Sequence, residues 1–556
     1  MNKVPQIATQ AIEKWRQLLG DEYVIMDNDS LKLASTATFA TSATVLAILK
    51  PSREQVAAAV AIAAEFAIPL YTISSGKNWG YGSRVPTAKD SVLLDLGRLN
   101  EISGYDPVHH LVTVGAGVTQ RQLADYLLAQ GGSDWMDCTG SHPDCSIVGN
   151  TVERGFGHTP YGEHANFIGS MEVLLADGRI IKTGFGRFDG AKASGMYKWG
   201  LGPALDQLFL QSNLGIVLSI TLWLMPKPEQ FVAFYLSAPS ESALEQIVEA
   251  LVPLKRSGVI TSLPHIANAY RVLGGMQQYP WPMFSDSSVQ FPLQGNILSQ
   301  LKQQWQVGTW NVSGALYGTK EQVANARKQV RRALRTVKGA RLNFISDNLL
   351  RFIEIFQKPI ALITRMDIPG MLKVLRPVHN MMKGLPSSQF LTSSYWRMKT
   401  VPDGRFDMDK DNVGLIWSAF VAPADAKNAR QLMDIVDTVL PQFGFEPAVT
   451  LTLLNERCID AVVSISFDRS ATAPGGESWD ALAVQCRDQL YQTMFSHGFY
   501  PYRTDVSKMA EMVHCGDPQY LQVLADLKSA LDPLGILAPG RYIASASEKF
   551  TGLVKN

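Results

Sequence analysis

A glycine-laden loop that follows directly on a β-type apolar run constrains this chain more than any other stretch. Residues 68–73, IPLYTI, lead into Ser74-Ser75-Gly76, then Lys77-Asn78-Trp79 and Gly80-Tyr81-Gly82. Small residues after a strand let backbone N–H groups converge on an anion such as a pyrophosphate. A glycine-rich turn joining two strands reads the same stretch equally well. The pattern GxGxxG is absent and no helical period follows at once, so this is not a Rossmann fingerprint. Gly76 and Gly80 are the positions where a positive φ, or a contact too close for a Cβ, is expected.

A second stretch, residues 146–164 (SIVGNTVERGFGHTPYGEH), crowds Gly149, Gly155, Gly157 and Gly162 around Asn150, Glu153 and His158. Each glycine costs about 0.5–1 kcal/mol relative to alanine in regular structure, so something must approach that backbone. A packed ligand would explain it; a tangle of surface turns is the alternative.

Around these loops the pattern alternates. Residues 8–20 read as an amphipathic helix, 45–49 as a strand, and 53–66 as an Ala-rich helix with Ser52 at its N-cap. Strands follow at 91–96 and 111–114, and a helix at 119–128 capped by Thr119. Residues 171–174 pair with 180–182 across Asp177-Gly178 as a hairpin, and a strand runs through Trp223. Such alternation suits a mixed α+β domain.

At 556 residues the chain exceeds one ordinary core, so two domains are expected. A net charge of +1 with no basic stripe gives no footprint for nucleic acid. The longest apolar runs, 41–49 and 56–68, are interrupted by Lys50-Pro51-Ser52-Arg53-Glu54 and Glu65, so neither spans a membrane. The N-terminus lacks the apolar core of a signal peptide. Five cysteines, at 138, 145, 458, 486 and 515, form no CxxC pair and read as reduced and cytoplasmic. The histidines show no metal-ligand spacing.

The order of the motifs resembles that of the vanillyl-alcohol oxidase and p-cresol methylhydroxylase family of flavoproteins. The resemblance covers nearly the whole chain. It is carried by SGKNWGYG, SVLLDLGRLNEI, VGAGVTQRQL, SIVGNTVERGFGHTPYGEH, GSMEVLLADGRIIKTG, QSNLGIVLSITLWLMPKP, GALYG, GFYPYRTD and DPLGILAPGR. It implies an α+β fold: a two-segment FAD-binding domain (residues 1–228 and 500–556) with an inserted cap domain (229–499). The cap would be an antiparallel sheet covered by helices, with strands at 412–421 and 448–453 and helices at 319–336 and 426–443. Ser74, Ser75, Gly76, Lys77, Asn78, Gly80, Ser146, Gly149, Asn150, Gly155, Gly157 and Ile216 would hold FAD, its pyrophosphate against the first loop.

The resemblance also implies chemistry. A para-substituted phenol is held as the phenolate by residues that match Tyr81, Tyr502 and Arg503. Hydride leaves its benzylic carbon for flavin N5, and a quinone methide results. Independently of any relative, a phenol with a pKa near 10 needs a permanent cation to ionise in a buried site, and Arg cannot be deprotonated. Electrons would pass to O2 or a cytochrome-like protein, and a homodimer or larger homo-oligomer is expected. The alternative is an FAD enzyme of the same fold acting on a non-phenolic molecule or biosynthetic intermediate.

Three departures mark this chain. The cap position that binds FAD covalently in many members falls at Gly414, and no His, Tyr or Cys lies between positions 398 and 420; residues 31–49 also lack the histidine that assists attachment in some oxidases. FAD is therefore expected to be non-covalent. Ser141 falls where the oxidases carry an Asp near flavin N5, and Ser is no unaided base near neutral pH; His142 and Asp144 lie close in sequence. His158 stands where Tyr is usual; it reads either as an acid or base near pH 7 or as a hydrogen-bonded structural histidine.

Overall fold

The computed structural model describes residues 6–284, 291–365, 367–402 and 405–544. The N-terminal helix Gln6–Leu19 packs on helix Val56–Glu65, burying Ala11, Ile12 and Trp15 among Ala59, Val60 and Ala63. The Trp15 indole N–H donates to the Ala59 carbonyl at 2.9 Å. Ser52 does not cap the second helix as expected: its hydroxyl turns to Glu54, and Gln55 occupies the cap position without a side-chain bond. Thr119 does cap the next helix, Gln120–Ala129, through a reciprocal capping box with Gln122.

Two sheets build the first layer. In the four-stranded sheet, Val45–Leu49 and Leu70–Ile73 run parallel to Ser91–Asp95 on either side of it, and Val24–Ile25 adds antiparallel to Val45–Leu49. The five-stranded sheet is antiparallel and includes the expected hairpin of Ile168–Leu174 with Ile180–Lys182. The C-terminal segment returns to this layer. Leu70 exchanges backbone bonds with Ile536 and Ala538, and the fully buried Lys528 ammonium ties the carbonyls of Asn213 and Leu537 to Asp532 at 2.7–2.8 Å. The motif DPLGILAPGR thus ends in a clamp: Asp532 also accepts the backbone N–H groups of Ile536 and Leu537.

The second layer is one eight-stranded antiparallel sheet. Helices Ala243–Arg256, Lys320–Leu334, Ala426–Gln442 and Trp479–Ser496 cover one face with an apolar core. Strand alternation turns the other row of side chains toward the first layer. In register across the sheet stand Asn343, Tyr235, Ser313, His265, Thr452 and Asp460. Strand Tyr500–Arg503 pairs at the edge, opposite Val413–Pro423, so Tyr502 and Arg503 ride on this sheet. No helix among the described residues is long and apolar enough to cross a membrane.

Candidate active site

The inner face of the eight-stranded sheet and the two glycine loops enclose a cavity of about 740 Å³. Ser74, Ser75, Gly76, Lys77 and Asn78 line one end. The amide N–H groups of Ser75, Gly76, Lys77 and Asn78 meet no acceptor among the described residues. A run of unpaired N–H groups with a lysine beside it is what an anion such as a pyrophosphate requires. Gly76 and Gly80 have φ of +66° and +76°, as expected, but the close approaches are to protein. A Cβ at Gly76 would lie 2.5 Å from the Arg84 Nε, and one at Gly80 would collide with the Trp417 ring. Gly80 itself does not line the cavity: its N–H donates to the Thr38 hydroxyl at 3.0 Å and its carbonyl accepts from the Trp417 N–H at 3.1 Å. It is the seam between the layers.

Ser146, Gly149, Asn150, Gly155 and Ile216 also line the cavity. The Ser146 hydroxyl caps the short helix Ile147–Val152 by accepting from Gly149 at 2.9 Å and donates to the Ala116 carbonyl. Gly157 lies outside the cavity wall. Its missing side chain makes room for the buried Asp137 carboxylate, which holds His164 at 2.8 Å and the backbone N–H groups of His158 and Thr159. His164 in turn bonds Asn150 at 2.6 Å. Part of the glycine crowding is therefore the imprint of a buried acid, which the motif alone did not reveal.

Next to Asn78 in the same wall stand Tyr81, Tyr502 and Arg503. The Arg503 guanidinium lies 4.3 Å from the Tyr81 ring centre, donates to the Asn78 side chain at 2.5 Å and sits 3.3 Å from Glu153. Glu153 also pairs with Arg541 and accepts from the Tyr542 hydroxyl at 2.6 Å. Burial would raise its carboxyl, but Arg541 and Arg503 outweigh that and hold it down at about 2. Two guanidinium groups against one carboxylate leave a net positive charge in this corner. Burial raises the Tyr81 and Tyr502 hydroxyls above their ordinary range, so both are neutral donors.

Ser141 lines the cavity with only Cys145 against its hydroxyl, at 3.1 Å. Neither neighbour supplies it a base. Asp144 pairs outward with Arg121 at 2.7 Å, and His142 accepts the Asp144 N–H through Nδ1. His158 faces the cavity and stacks on His265, ring centres 4.3 Å apart. Burial lowers His158 to about 4 and His265 to about 3, so both rings are neutral at pH 7 and neither is a protonated acid there. The His158 Nδ1 has no partner among the described residues.

Gly414 does not face the cavity: a Cβ there would collide with Phe467 on the helix-covered side. Its neighbours Leu415 and Trp417 are the residues of that strand in the wall. Gly414, read as the attachment position, therefore presents no side-chain direction to the cavity. Five residues in or beside the site went unassigned from the sequence: Glu153, Arg271, His265, Asp460 and Arg541. Asp460 is fully buried, neither oxygen meets a partner among the described residues, and burial raises its carboxyl well above the usual range. Among the described residues no cluster could hold a metal ion.

The unpaired N–H groups, the elongated wall and the cationic corner fit FAD, with the cofactor's pyrophosphate on the loop after Ile73. The FAD binding domain family matches residues 46–184. The 1'-carboxy-chondrochloren decarboxylase of Chondromyces crocatus is 35% identical over 535 residues, covering 96% of this chain and 97% of that one. The flavoprotein subunit of 4-cresol dehydrogenase [hydroxylating] of Pseudomonas putida is 29% identical over 536 residues, 96% and 95% of the two chains. A crystal structure of p-cresol methylhydroxylase with substrate bound superposes with a TM-score of 0.87 at 27% identity, over 99% of both chains.

Proposed function

The chain belongs to the p-cresol methylhydroxylase and vanillyl-alcohol oxidase family of FAD-dependent oxidoreductases, and we propose that it oxidises or hydroxylates a para-substituted phenol. The observation that carries this reading is the Arg503 guanidinium stacked on Tyr81 beside Tyr502 in the cavity wall. The net positive charge of Arg503, Arg541 and Glu153 favours the phenolate over the phenol. Tyr81 and Tyr502 donate to its oxygen. Their own high pKa keeps the protons on the enzyme side of those bonds. Electron release from the phenolate then weakens the benzylic C–H bond.

FAD, when bound, supplies the acceptor for the benzylic hydride. The resulting quinone methide regains its aromatic ring by adding water or by losing a neighbouring C–H. The Chondromyces crocatus relative is a decarboxylase, and loss of CO2 from an adjacent carbon is a third way to the same end. Ser141 supplies no base for the first route, and the neutral His158–His265 pair offers an acceptor that burial makes weakly basic.

FAD is proposed to be non-covalent, because Leu415 and Trp417 present no nucleophile to the cavity. O2 or a cytochrome-like protein is proposed as the electron acceptor, and a homodimer or larger homo-oligomer as the assembly. A non-phenolic substrate on the same fold is the competing reading. Anaerobic screening of flavin bleaching against a panel of 4-alkylphenols separates the two: rapid bleaching supports the phenol, and none across the panel removes it.

A further inference from the structure

Four cations line the cavity, Lys77, Arg271, Arg503 and Arg541, against the single carboxylate of Glu153. Lys77 stands in the anion-binding loop, and Arg503 and Arg541 share Glu153. Arg271 remains. It sits on helix Ala269–Met276, whose N-cap Asn268 accepts its backbone N–H at 3.2 Å. Its Nη1 donates to the Ser393 hydroxyl at 2.6 Å, and its guanidinium carbon lies 5.0 Å from the centre of the Trp417 ring.

Among the described residues no carboxylate pairs with Arg271. The deeply buried arginines each have one, Arg397 with Glu446 and Arg487 with Asp505, whereas Arg271 is half-buried and opens onto the cavity. Burial lowers Arg271 to about 10, and no neighbouring acid offsets it. It is still a cation at neutral pH. The nearby imidazoles of His158 and His265 are neutral, and among the described residues no acid forms an ion pair with the Arg271 guanidinium. A guanidinium has five N–H donors in a planar fork, and among the described residues one of Arg271's is used, toward Ser393. A guanidinium half-withdrawn from water with no acid beside it is ready to pair with an anion that a ligand supplies.

The spacing also fits. Trp417 and Ala419 share a strand face, about 7 Å apart, and Arg503 stands opposite Ala419 in the ladder. Trp417, with Arg271 over its ring, thus lies one step along that strand face from the position opposite Arg503, within reach of a para substituent on a ring held there. We propose that Arg271 is a substrate-binding residue that pairs with a carboxylate on that substituent, so that the pocket selects para-substituted phenols with an anionic tail. The phenol in this statement rests on the function proposed above; the carboxylate rests on Arg271.

The test compares 3-(4-hydroxyphenyl)propionate with 4-propylphenol on the FAD-loaded enzyme, by binding titration and by anaerobic flavin reduction. Wild type should favour the acid by about tenfold to a hundredfold, the range of a charge-assisted contact. Arg271→Met should abolish that preference while leaving 4-propylphenol within about threefold of wild type, and Arg271→Lys should restore part of it. Without ligand, Arg271→Met should melt no lower than wild type, since it removes a half-buried charge that has no acid partner among the described residues. Equal handling of acid and neutral phenol by wild type, or an equal loss for both in Arg271→Met, overturns the proposal. The methyl ethers of the two compounds separate this from the phenol reading. If the ether acid outbinds the neutral ether yet no phenol bleaches the flavin, the carboxylate site stands and the phenol reading falls.

Discussion

Replacing Arg503 by alanine tests the phenolate corner where its charges are best defined. Arg503 contributes three things. It offers a charge-assisted contact to a bound phenolate, about 1.5–3 kcal/mol. It donates to Asn78 at 2.5 Å. It stacks on Tyr81 at 4.3 Å, about 1–2 kcal/mol when shielded from water. In Arg503→Ala, Glu153 keeps Arg541 and Tyr542, so the corner changes from net positive to neutral without leaving a bare carboxylate. The enzyme should therefore fold, bind FAD and lose about tenfold to a hundredfold in kcat/KM for a 4-alkylphenol. The red-shifted absorbance of a bound phenolate should vanish, because the ligand stays neutral. Arg503→Lys should recover part of both, having the charge but not the planar fork. Tyr81→Phe and Tyr502→Phe should each cost less, about 0.5–1.5 kcal/mol for one neutral hydrogen bond. Anaerobic stopped-flow reduction measures all four. An alanine variant that keeps wild-type kcat/KM and still red-shifts the bound phenol would refute the assignment.

Gly76→Val forces a side chain onto a φ of +66° and into Arg84, and it should purify without flavin; full FAD occupancy would show that the loop does not hold the pyrophosphate. Acid precipitation of the wild-type enzyme should leave the yellow colour in the supernatant, whereas a yellow pellet would mean a covalent link. His158, held at about 4 against an ordinary 6.5, binds fewer protons folded than unfolded. The stability this confers is complete above pH 6.5 and is lost as pH falls toward 4. His158→Phe should flatten the dependence of Tm on pH across that window, and an unchanged slope would mean the histidine is not held neutral.

The fold was legible where chemistry is local. The Thr119 cap, the Asp-Gly hairpin and the strands at 45–49 and 448–453 follow from turn residues and short-range pattern. Tyr81, Tyr502 and Arg503 were reached because they sit in motifs, and the structure brings all three to one corner. Glu153 lay in plain view in residues 146–164, but nothing local says that two arginines 350 and 388 positions later close on it. His265 and Asp460 reach the cavity side only through sheet register, which joins strands far apart in sequence. Gly414 proved to face the helices rather than the cavity, because a strand reverses its faces at every residue and sequence alone does not say which face is which. Asp137 explains Gly157 better than any ligand does, yet it precedes the motif by nine residues and carries no signature of its own.

The central claim is that ionisation of the substrate's hydroxyl drives hydride loss. Anaerobic reduction of the bound flavin by a 4-alkylphenol and by its methyl ether measures that most directly. The phenol should bleach the flavin in a single turnover, and the ether, which cannot ionise, should leave it oxidised. Bleaching by the ether as fast as by the phenol would contradict the account and point to a substrate of another class.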